Sequence, residues 1–248
     1  MKFLFFLLSF SLLTLTSFTN KPDTRYYEMR IYYCHPGKLN DLITRFTNHT
    51  TKFFEKHGME NVGYWIPTDN NENALYYILA YPSKAARETS WTAFRNDPGW
   101  QEVARKSEEN GKIVARVSST FMTASELSPA IQASATGSDR SFELRTYYYT
   151  ASKLPELTKR FNDHAFGFFK KYGMQNIGYW LTENTATTQP ALLYMLAYKS
   201  EEEGKKAWAD FMKDPQWIKA RTESEKNGRL IDSVKSVYLK PLAFSTIK

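Results

Sequence analysis

An internal repeat constrains the fold of this chain more than any other feature, because two stretches carry the same pattern in the same order. Residues 25–66 align with residues 140–181 at a constant offset of 115, and 20 of these 42 positions are identical. After a polar loop the offset becomes 117, so that Trp91 corresponds to Trp208. A long period of this kind indicates two copies of one domain, with the length change placed in a surface loop.

Each copy predicts the element order β-α-β-β-α-β. In the first copy, β-rich runs cover Tyr26–Tyr33, Val62–Ile66, Leu75–Tyr81 and Ile113–Met122, and helical spacing covers Lys38–His57 and the region around Trp91, Phe94 and Trp100. This order predicts an α+β fold of two tandem ferredoxin-like domains. Helices cover one face of such a sheet, and the aromatic residues of the other face need a partner. We therefore expect the repeats to pair within the chain as a dimeric-α/β-barrel-type pseudo-dimer, with a homodimer as a further option.

The predicted boundaries are a signal peptide over residues 1–20, domains over 21–124 and 140–248, and a linker over 125–139 that runs across the surface. Residues 3–15 form an apolar run after Met1-Lys2, and the following residues are polar, which is the layout of a secretory signal. We expect a secreted or periplasmic protein with no stable membrane span after cleavage. An uncleaved anchor is the alternative.

Charge and cysteine content exclude several classes of function. The net charge is +7, but lysine and arginine are scattered among glutamates, so no nucleic-acid partner is expected. Cys34 is the single cysteine and cannot form an intrachain disulfide. The chain has no dinucleotide fingerprint, no phosphate loop and no G-x-S-x-G sequence, so no cofactor is predicted from its motifs.

The first strand of each copy carries the most informative polar pattern. Glu28, Arg30 and Tyr32 share one face, and Met29 and Ile31 share the other. The corresponding polar residues of the second copy are Glu143, Arg145 and Tyr147. We expect the polar face to line the barrel, where the arginines would bind an anionic small molecule and the glutamates would orient it or move protons. The alternative is an ion pair that only closes the barrel.

Histidines and aromatic residues supply further candidates. His49 and His164 border the apolar stripe of the first helix, as a site base or as boundary residues of the core. A repeated metal cluster is not expected, since His35 and His57 correspond to Thr150 and Tyr172. A set of rings is expected to line an apolar pocket or to serve ordinary sheet packing: Tyr64, Trp65, Tyr77, Tyr81, Tyr179, Trp180, Tyr194 and Tyr198.

An ordered set of motifs runs through both copies: Glu-x-Arg-x-Tyr, Phe-x-x-His, Lys-x-Gly, Gly-Tyr-Trp and Asp-Pro-x-Trp. In the first copy these are Glu28, Arg30, Tyr32, Phe46, His49, Lys56, Gly58, Gly63, Tyr64, Trp65, Asp97, Pro98 and Trp100. The pattern resembles the NIPSNAP family. That resemblance implies the dimeric α/β-barrel group, which also includes haem-degrading and antibiotic-biosynthesis monooxygenases, chlorite dismutases and sugar mutarotases. It implies the fold and leaves the reaction open.

The first functional hypothesis is an exported protein that binds a small anionic or aromatic molecule in its barrel. It would act as a cofactor-independent monooxygenase or isomerase, with His49 or Glu28 removing a proton and Arg30 stabilising negative charge. Haem is a narrower option that follows from the resemblance. The alternative hypothesis is a non-enzymatic interaction or scaffold protein whose barrel is filled by side chains.

Overall fold

The computed structural model describes residues 22–134, 140–185 and 188–248, and the predicted signal peptide over residues 1–20 lies outside them. The first repeat contains β1 (Tyr26–Cys34), α1 (Leu39–Arg45), a π-helical turn (Phe46–Thr50), α2 (Thr51–Lys56), β2 (Glu60–Pro67), β3 (Ala74–Tyr81), α3 (Lys84–Asn96), α4 (Pro98–Ser107) and β4 (Val114–Ala124). The predicted β-α-β-β-α-β order is confirmed, with the second helical region divided at Asp97-Pro98.

The second repeat has the same order of elements. It contains β5 (Ser141–Tyr148), a short 3-10 turn (Ala151–Lys153), α5 (Leu154–Arg160), a π-helical turn (Phe161–Ala165), α6 (Phe166–Lys171), β6 (Gln175–Thr182), β7 (Ala191–Tyr198), α7 (Glu201–Lys213), α8 (Pro215–Ser224) and β8 (Ser233–Pro241). Across the described part of the chain, no helix has the length and apolar character needed to cross a membrane.

The eight strands form one closed barrel in the order β1-β3-β2-β8-β5-β7-β6-β4. The repeats join at two antiparallel seams, β2 with β8 and β4 with β6. Closure pairs the edge strands of both sheets, so the barrel needs no second chain. Because every neighbouring pair of strands is antiparallel, β1 and β5 run in the same direction, and both begin at one end of the barrel.

The strand faces are oriented opposite to the prediction. Met29 and Leu144 belong to the apolar cluster inside the barrel, whereas Glu28 and Glu143 face the helices. The expectation that the polar face of β1 lines the barrel is therefore wrong. The helices of each repeat cover this polar face, and their tryptophan side chains supply its hydrogen bonds.

The Gly-Tyr-Trp motif follows from the alternation of faces along β2 and β6. Trp65 lies inside the barrel, whereas Tyr64 packs under the helices. A Cβ atom on Gly63 would lie 2.2 Å from Cη2 of the Trp65 indole, so glycine provides the space into which the ring folds back. Gly178 and Trp180 repeat the arrangement at 2.6 Å.

One end of the barrel is filled. Trp65 packs on Phe142 with ring centroids 6.0 Å apart, and Trp180 packs on Tyr27 at 5.9 Å, so each contact joins the two repeats. Ile131 and Ile247 are buried in the same cluster. They come from the segments that follow β4 and β8, and therefore close this end. The linker was predicted to run over the surface, but Leu127 and Ile131 of that segment are buried.

Candidate functional site

The other half of the barrel contains a cavity of about 570 Å³. This volume lies within the range of small-molecule pockets, roughly 300–1,000 Å³. Its walls include the later part of β1, where Met29, Ile31 and Tyr33 point inward, and the later part of β5. The β5 residues are Leu144, Thr146 and Tyr148. The barrel thus has a filled half at the start of β1 and β5 and a cavity at their end.

Residues lining the cavity differ between the repeats. Ile31 corresponds to Thr146, and Tyr76 corresponds to Leu193. On β4 and β8, Ser118 corresponds to Lys235 and Thr120 to Val237. Tyr33 and Tyr148 are an identical pair. The cavity is therefore asymmetric although the barrel comes from a duplication, which suits a ligand without two-fold symmetry.

The polar groups of the cavity come from both walls. The Lys235 ammonium lies 5.4 Å from the centre of the Tyr148 ring, and no carboxylate forms an ion pair with it in the described residues. Burial raises the pKa of Tyr76 to about 12, so its hydroxyl is protonated and can donate a hydrogen bond at neutral pH. A cation and a phenol beside apolar side chains can orient a mostly apolar molecule that carries an oxygen acceptor.

Carboxylates at this end of the barrel already have partners. Glu183 accepts hydrogen bonds from Lys84 at 2.9 Å and from Tyr26 at 3.0 Å, and the Lys84 bond is the main reason its pKa is lowered. Glu72 lies 3.7 Å from Arg116, whose guanidinium stacks on the Tyr33 ring at 3.4 Å. Glu183 is thereby stabilised in its charged form, which makes it a poor general base.

The Glu-x-Arg-x-Tyr motif builds the junction between the helices and the sheet. Glu28 is 0% exposed. Its carboxylate accepts hydrogen bonds from Arg30, Arg87, Trp91 and Tyr81. Burial raises the pKa of Glu28, but the hydrogen bonds from Arg87 and the charge of Arg30 outweigh it, so the pKa lies below its usual value. Glu143 is buried alike and bonds to Arg145, Tyr198, Trp208 and Ser236.

Because they face the helices, Glu28, Arg30 and Tyr32 are separated from the barrel cavity. The polar residues of β5 are separated from it in the same way. The Arg30 guanidinium lies over the Trp91 ring at 4.4 Å, and Arg145 lies over Trp208 at 3.9 Å. A ligand inside the barrel is thus out of reach of both arginines. Arg145 and Tyr147 instead line a second cavity, between the helices and the sheet of the second repeat.

The predicted histidines also lie away from the barrel. His49 and His164 sit on the two π-helical turns with their side chains exposed. His57 bonds to Asp97 at 2.8 Å, and His35 is exposed. The expectation that His49 or Glu28 removes a proton from a molecule in the barrel is wrong, because both lie outside it.

Most of the predicted pocket rings pack under the helices. The side chains on this side are Tyr64, Tyr77, Tyr81, Tyr179, Tyr194 and Tyr198. Trp65 and Trp180 lie inside the barrel but fill its closed half. Among the predicted site residues, none lines the barrel cavity. Sequence reasoning missed Thr146 and Lys235, whose signal was their divergence from the other repeat, and it also missed Tyr148, which is identical to Tyr33.

Among the described residues, the barrel cavity lacks the two side chains that most often bind haem iron. The iron of haem commonly takes a histidine or a cysteine as its protein ligand. In the described part of the chain no histidine lines the barrel cavity, whose tyrosines are the remaining candidates, and Cys34 is buried in the core under the helices of the first repeat. The described residues also contain no group of three or more histidine, cysteine, aspartate or glutamate side chains placed to hold a metal ion.

Comparison with solved structures shows the fold. An anthrone oxidase-like protein superposes with a TM-score of 0.57 at 11% identity and covers 91% of this chain and 95% of its own. A structure from Lactobacillus acidophilus NCFM, named for a proposed monooxygenase activity, gives 0.54 at 12% identity and covers 88% and 94%. At these identities the likeness establishes the shared α/β-barrel architecture alone.

Sequence comparison establishes the family. NipSnap homolog 3A of Homo sapiens is 31% identical over 91 residues, which is 35% of this chain and 36% of that protein. NipSnap homolog 3B of Mus musculus is 31% identical over 78 residues, 31% of either chain. The chain therefore matches about a third of the length of these relatives. The NIPSNAP family profile matches residues 27–129 and again residues 142–246. The chain belongs to the NIPSNAP family and carries two tandem NIPSNAP domains.

Proposed function

We propose that this protein binds a small, mostly apolar molecule in the open half of its barrel. The observation that carries the proposal is the cavity of about 570 Å³, enclosed by both repeats and closed at the opposite end by aromatic side chains. A barrel filled along its whole length would favour the scaffold alternative. The half-filled barrel supports binding, because a concave cavity of this size with apolar walls and a few polar groups is the usual form of a small-molecule site.

The divergence of the cavity walls indicates selectivity for the ligand. Residues that build the common fold are the same in both repeats, as Glu28 and Glu143 are. Cavity positions such as Ser118 and Lys235 differ. We propose that the ligand places an oxygen acceptor near Lys235 and Tyr76 and its apolar part against Met29 and Leu144.

A cofactor-independent monooxygenase or isomerase activity is the narrower form of this proposal. The structural neighbours named for monooxygenase and oxidase activities support it only through their shared fold. A reaction in the cavity would depend on the Tyr33 and Tyr148 hydroxyls and on Lys235, because the nearby carboxylates are held by cations. Ligand binding, rather than proton abstraction, is what the geometry supports best.

Export is a further part of the proposal. Residues 3–15 have the composition of a signal sequence, and the single cysteine is consistent with a domain held together by packing. Expression of the full chain, followed by N-terminal sequencing of the protein found outside the cytoplasm, tests this. Cleavage near residue 20 is expected. A protein that keeps Met1 and stays with the cytoplasmic fraction would contradict export.

A fluorescent probe tests the barrel site directly. N-phenyl-1-naphthylamine is uncharged and becomes fluorescent in apolar surroundings, so a saturable increase is expected with the wild-type protein. Thr146→Trp places an indole in the cavity and should weaken probe binding about tenfold or more, while Thr146→Val keeps the cavity open and should leave it unchanged. Equal binding by both variants would reject the barrel as the site. If the probe binds in the barrel, native mass spectrometry of the protein after incubation with cell extract would identify a natural ligand that it retains.

A further inference from the structure

The second repeat has a cavity of about 430 Å³ between its helices and the outer face of the sheet. It is separate from the barrel, since its walls come from the outward side of β5 and β8 and from the helices that cover them. The π-helical turn contributes Phe161 and Ala165 to its wall. Turns of this kind occur often at functional sites.

Aromatic rings make up much of the cavity wall. Tyr147, Trp208 and Trp217 all line it. Trp208 is half-buried, whereas its counterpart Trp91 in the first repeat is buried. The indole of Trp208 is therefore more accessible to a bound molecule than the indole at the same position of the other repeat.

Cations outnumber anions around this cavity. Its lining includes Arg145, Arg160, Arg221, Arg229, Glu225 and Asp232. Glu225 is engaged by Arg160 at 2.8 Å, and Asp232 accepts a hydrogen bond from Gln189 at 2.6 Å. Within the described ranges, Arg221 and Arg229 have no carboxylate oxygen within 4.0 Å. Two guanidinium groups therefore remain uncompensated at the cavity.

Arg145 presents a further donor. Its Nε donates to Tyr194 at 3.0 Å and its Nη1 to Glu143 at 2.6 Å. Its Nη2 has no hydrogen-bond partner in the part of the chain that the structure describes, and it is not sealed from solvent. A guanidinium held by its other nitrogens is a preorganised donor for a carboxylate.

The first repeat differs at the positions that supply the free charge. Arg221 corresponds to Ala104, and Arg229 corresponds to Lys112. Lys112 is paired with Glu108 at 3.2 Å. The excess of free cations is thus a property of the second repeat and not of the domain fold.

From this geometry we infer that the second repeat binds a small aromatic carboxylate in the cavity between its helices and its sheet. The carboxylate lies against Arg145, Arg221 and Arg229, and the ring packs among Tyr147, Trp208 and Trp217. Aromatic walls with a few converging donors are the general form of such a site. This site is distinct from the barrel site, so either can fail without the other.

The test uses 2-naphthoate and its uncharged counterpart 2-naphthalenemethanol, titrated into the full-length protein by isothermal calorimetry. The Thr146→Trp background keeps both probes out of the barrel. One saturable site for 2-naphthoate and about tenfold weaker binding of the alcohol are expected. The double variant R221A/R229Q, in which Arg221→Ala copies the first repeat, should weaken 2-naphthoate binding about tenfold or more.

The matched control K106Q/K112Q removes the same charge from exposed positions of the first repeat and should leave binding unchanged. Three outcomes would overturn the inference: no saturable binding of 2-naphthoate, an affinity that R221A/R229Q does not change, or displacement of 2-naphthoate by an equal concentration of inorganic phosphate. The last outcome would show a general anion site without preference for an aromatic ring. Circular dichroism of each variant confirms that the fold is intact.

Discussion

Buried carboxylates on β1 and β5 show how single residues hold the helices to the sheet. Glu28 lies under α3 and accepts charge-assisted hydrogen bonds from two arginines, Arg30 and Arg87. Glu143 accepts such a bond from one arginine, Arg145. The repeats differ because Arg87 of the first repeat corresponds to Gly204 of the second. A buried carboxylate with full hydrogen bonding is stable, but its loss leaves cations unpaired in a low-dielectric region.

Replacement of the Glu28 charge should therefore cost stability. Glu28→Gln is expected to lower the free energy of unfolding by about 3 kcal/mol, because Arg30 and Arg87 lose their shared counter-charge. Urea unfolding at neutral pH measures this. Glu88→Gln removes the exposed partner of Arg87 and should change it by less than about 0.5 kcal/mol. Equal effects from both variants would contradict the structural role assigned to Glu28.

The same residues illustrate what the sequence predicted at this scale. Alternation along β1 correctly placed Glu28, Arg30 and Tyr32 on one face. It did not show which face meets the helices, because the alternation of polar and apolar residues is the same whether the polar face points to the helices or into the barrel. The equivalent helix residues Trp91 and Trp208 were the missing signal, since a buried indole nitrogen needs a hydrogen-bond acceptor, and Glu28 and Glu143 supply it.

At the scale of elements, a capping aspartate joins two helices in each repeat. Asp214 accepts hydrogen bonds from the backbone amides of Gln216 and Trp217 at the start of α8, and from Lys171 and Tyr172 at the end of α6. The bonds from Lys171 and then Tyr172 are the main reasons the pKa of Asp214 falls to about 2. Asp97, Lys56 and His57 repeat this arrangement.

This lowered pKa predicts a pH dependence. Because the pKa is lower in the folded chain than the usual 3.8, the stabilisation is fully present above about pH 4 and is lost as the pH falls toward 2. Asp214→Asn keeps the capping oxygen but not the charge, so its unfolding free energy should fall less steeply over that range. Urea unfolding between pH 5 and about 2 measures the slopes. Asp210→Asn removes only an exposed ion pair with Lys206 on α7 and should change the slope less than Asp214→Asn does. An unchanged slope for Asp214→Asn would count against the assigned role of its carboxylate.

The glycine two residues before each barrel tryptophan gives a prediction about the strands. Gly63→Ala places a methyl group 2.2 Å from the Trp65 ring and should lower the unfolding free energy by about 1–3 kcal/mol. Thermal unfolding reports the change. Gly167→Ala on α6 meets no atom within 4 Å and should be neutral or stabilising by up to about 1 kcal/mol. If Gly63→Ala were as well tolerated as Gly167→Ala, the indole would not occupy the space described.

At the scale of the molecule, the two repeats share one core. The barrel cluster contains residues of both, and each seam between repeats carries a ring contact, Trp65 with Phe142 or Trp180 with Tyr27. Ile131 and Ile247 then close the end where these rings lie. A core shared in this way couples the repeats, so neither should unfold alone.

Leu239→Ala tests the coupling. Leu239 is fully buried on β8, beside Phe142 of its own repeat and Pro67 of the other. The variant should lower the free energy of unfolding by about 2–5 kcal/mol while tryptophan fluorescence and far-UV circular dichroism still report one coincident transition. Val234→Ala, at an exposed position of the same strand, should have little effect. Two separate transitions in the Leu239→Ala variant would show that the repeats fold independently.

The sequence by itself determined the duplication, the order of elements and the barrel, because apolar periodicity and repeated motifs depend on local geometry that both copies share. Only the tertiary structure decided which strand face lines the barrel, which half of it is filled and where the cavities lie. Those features depend on how the helices pack and on where Ile131 and Ile247 enter the core, and contacts between distant segments leave no periodic pattern. For the same reason the repeated residues identify the family, whereas Thr146, Lys235, Arg221 and Arg229, which differ between the copies, mark the candidate binding sites.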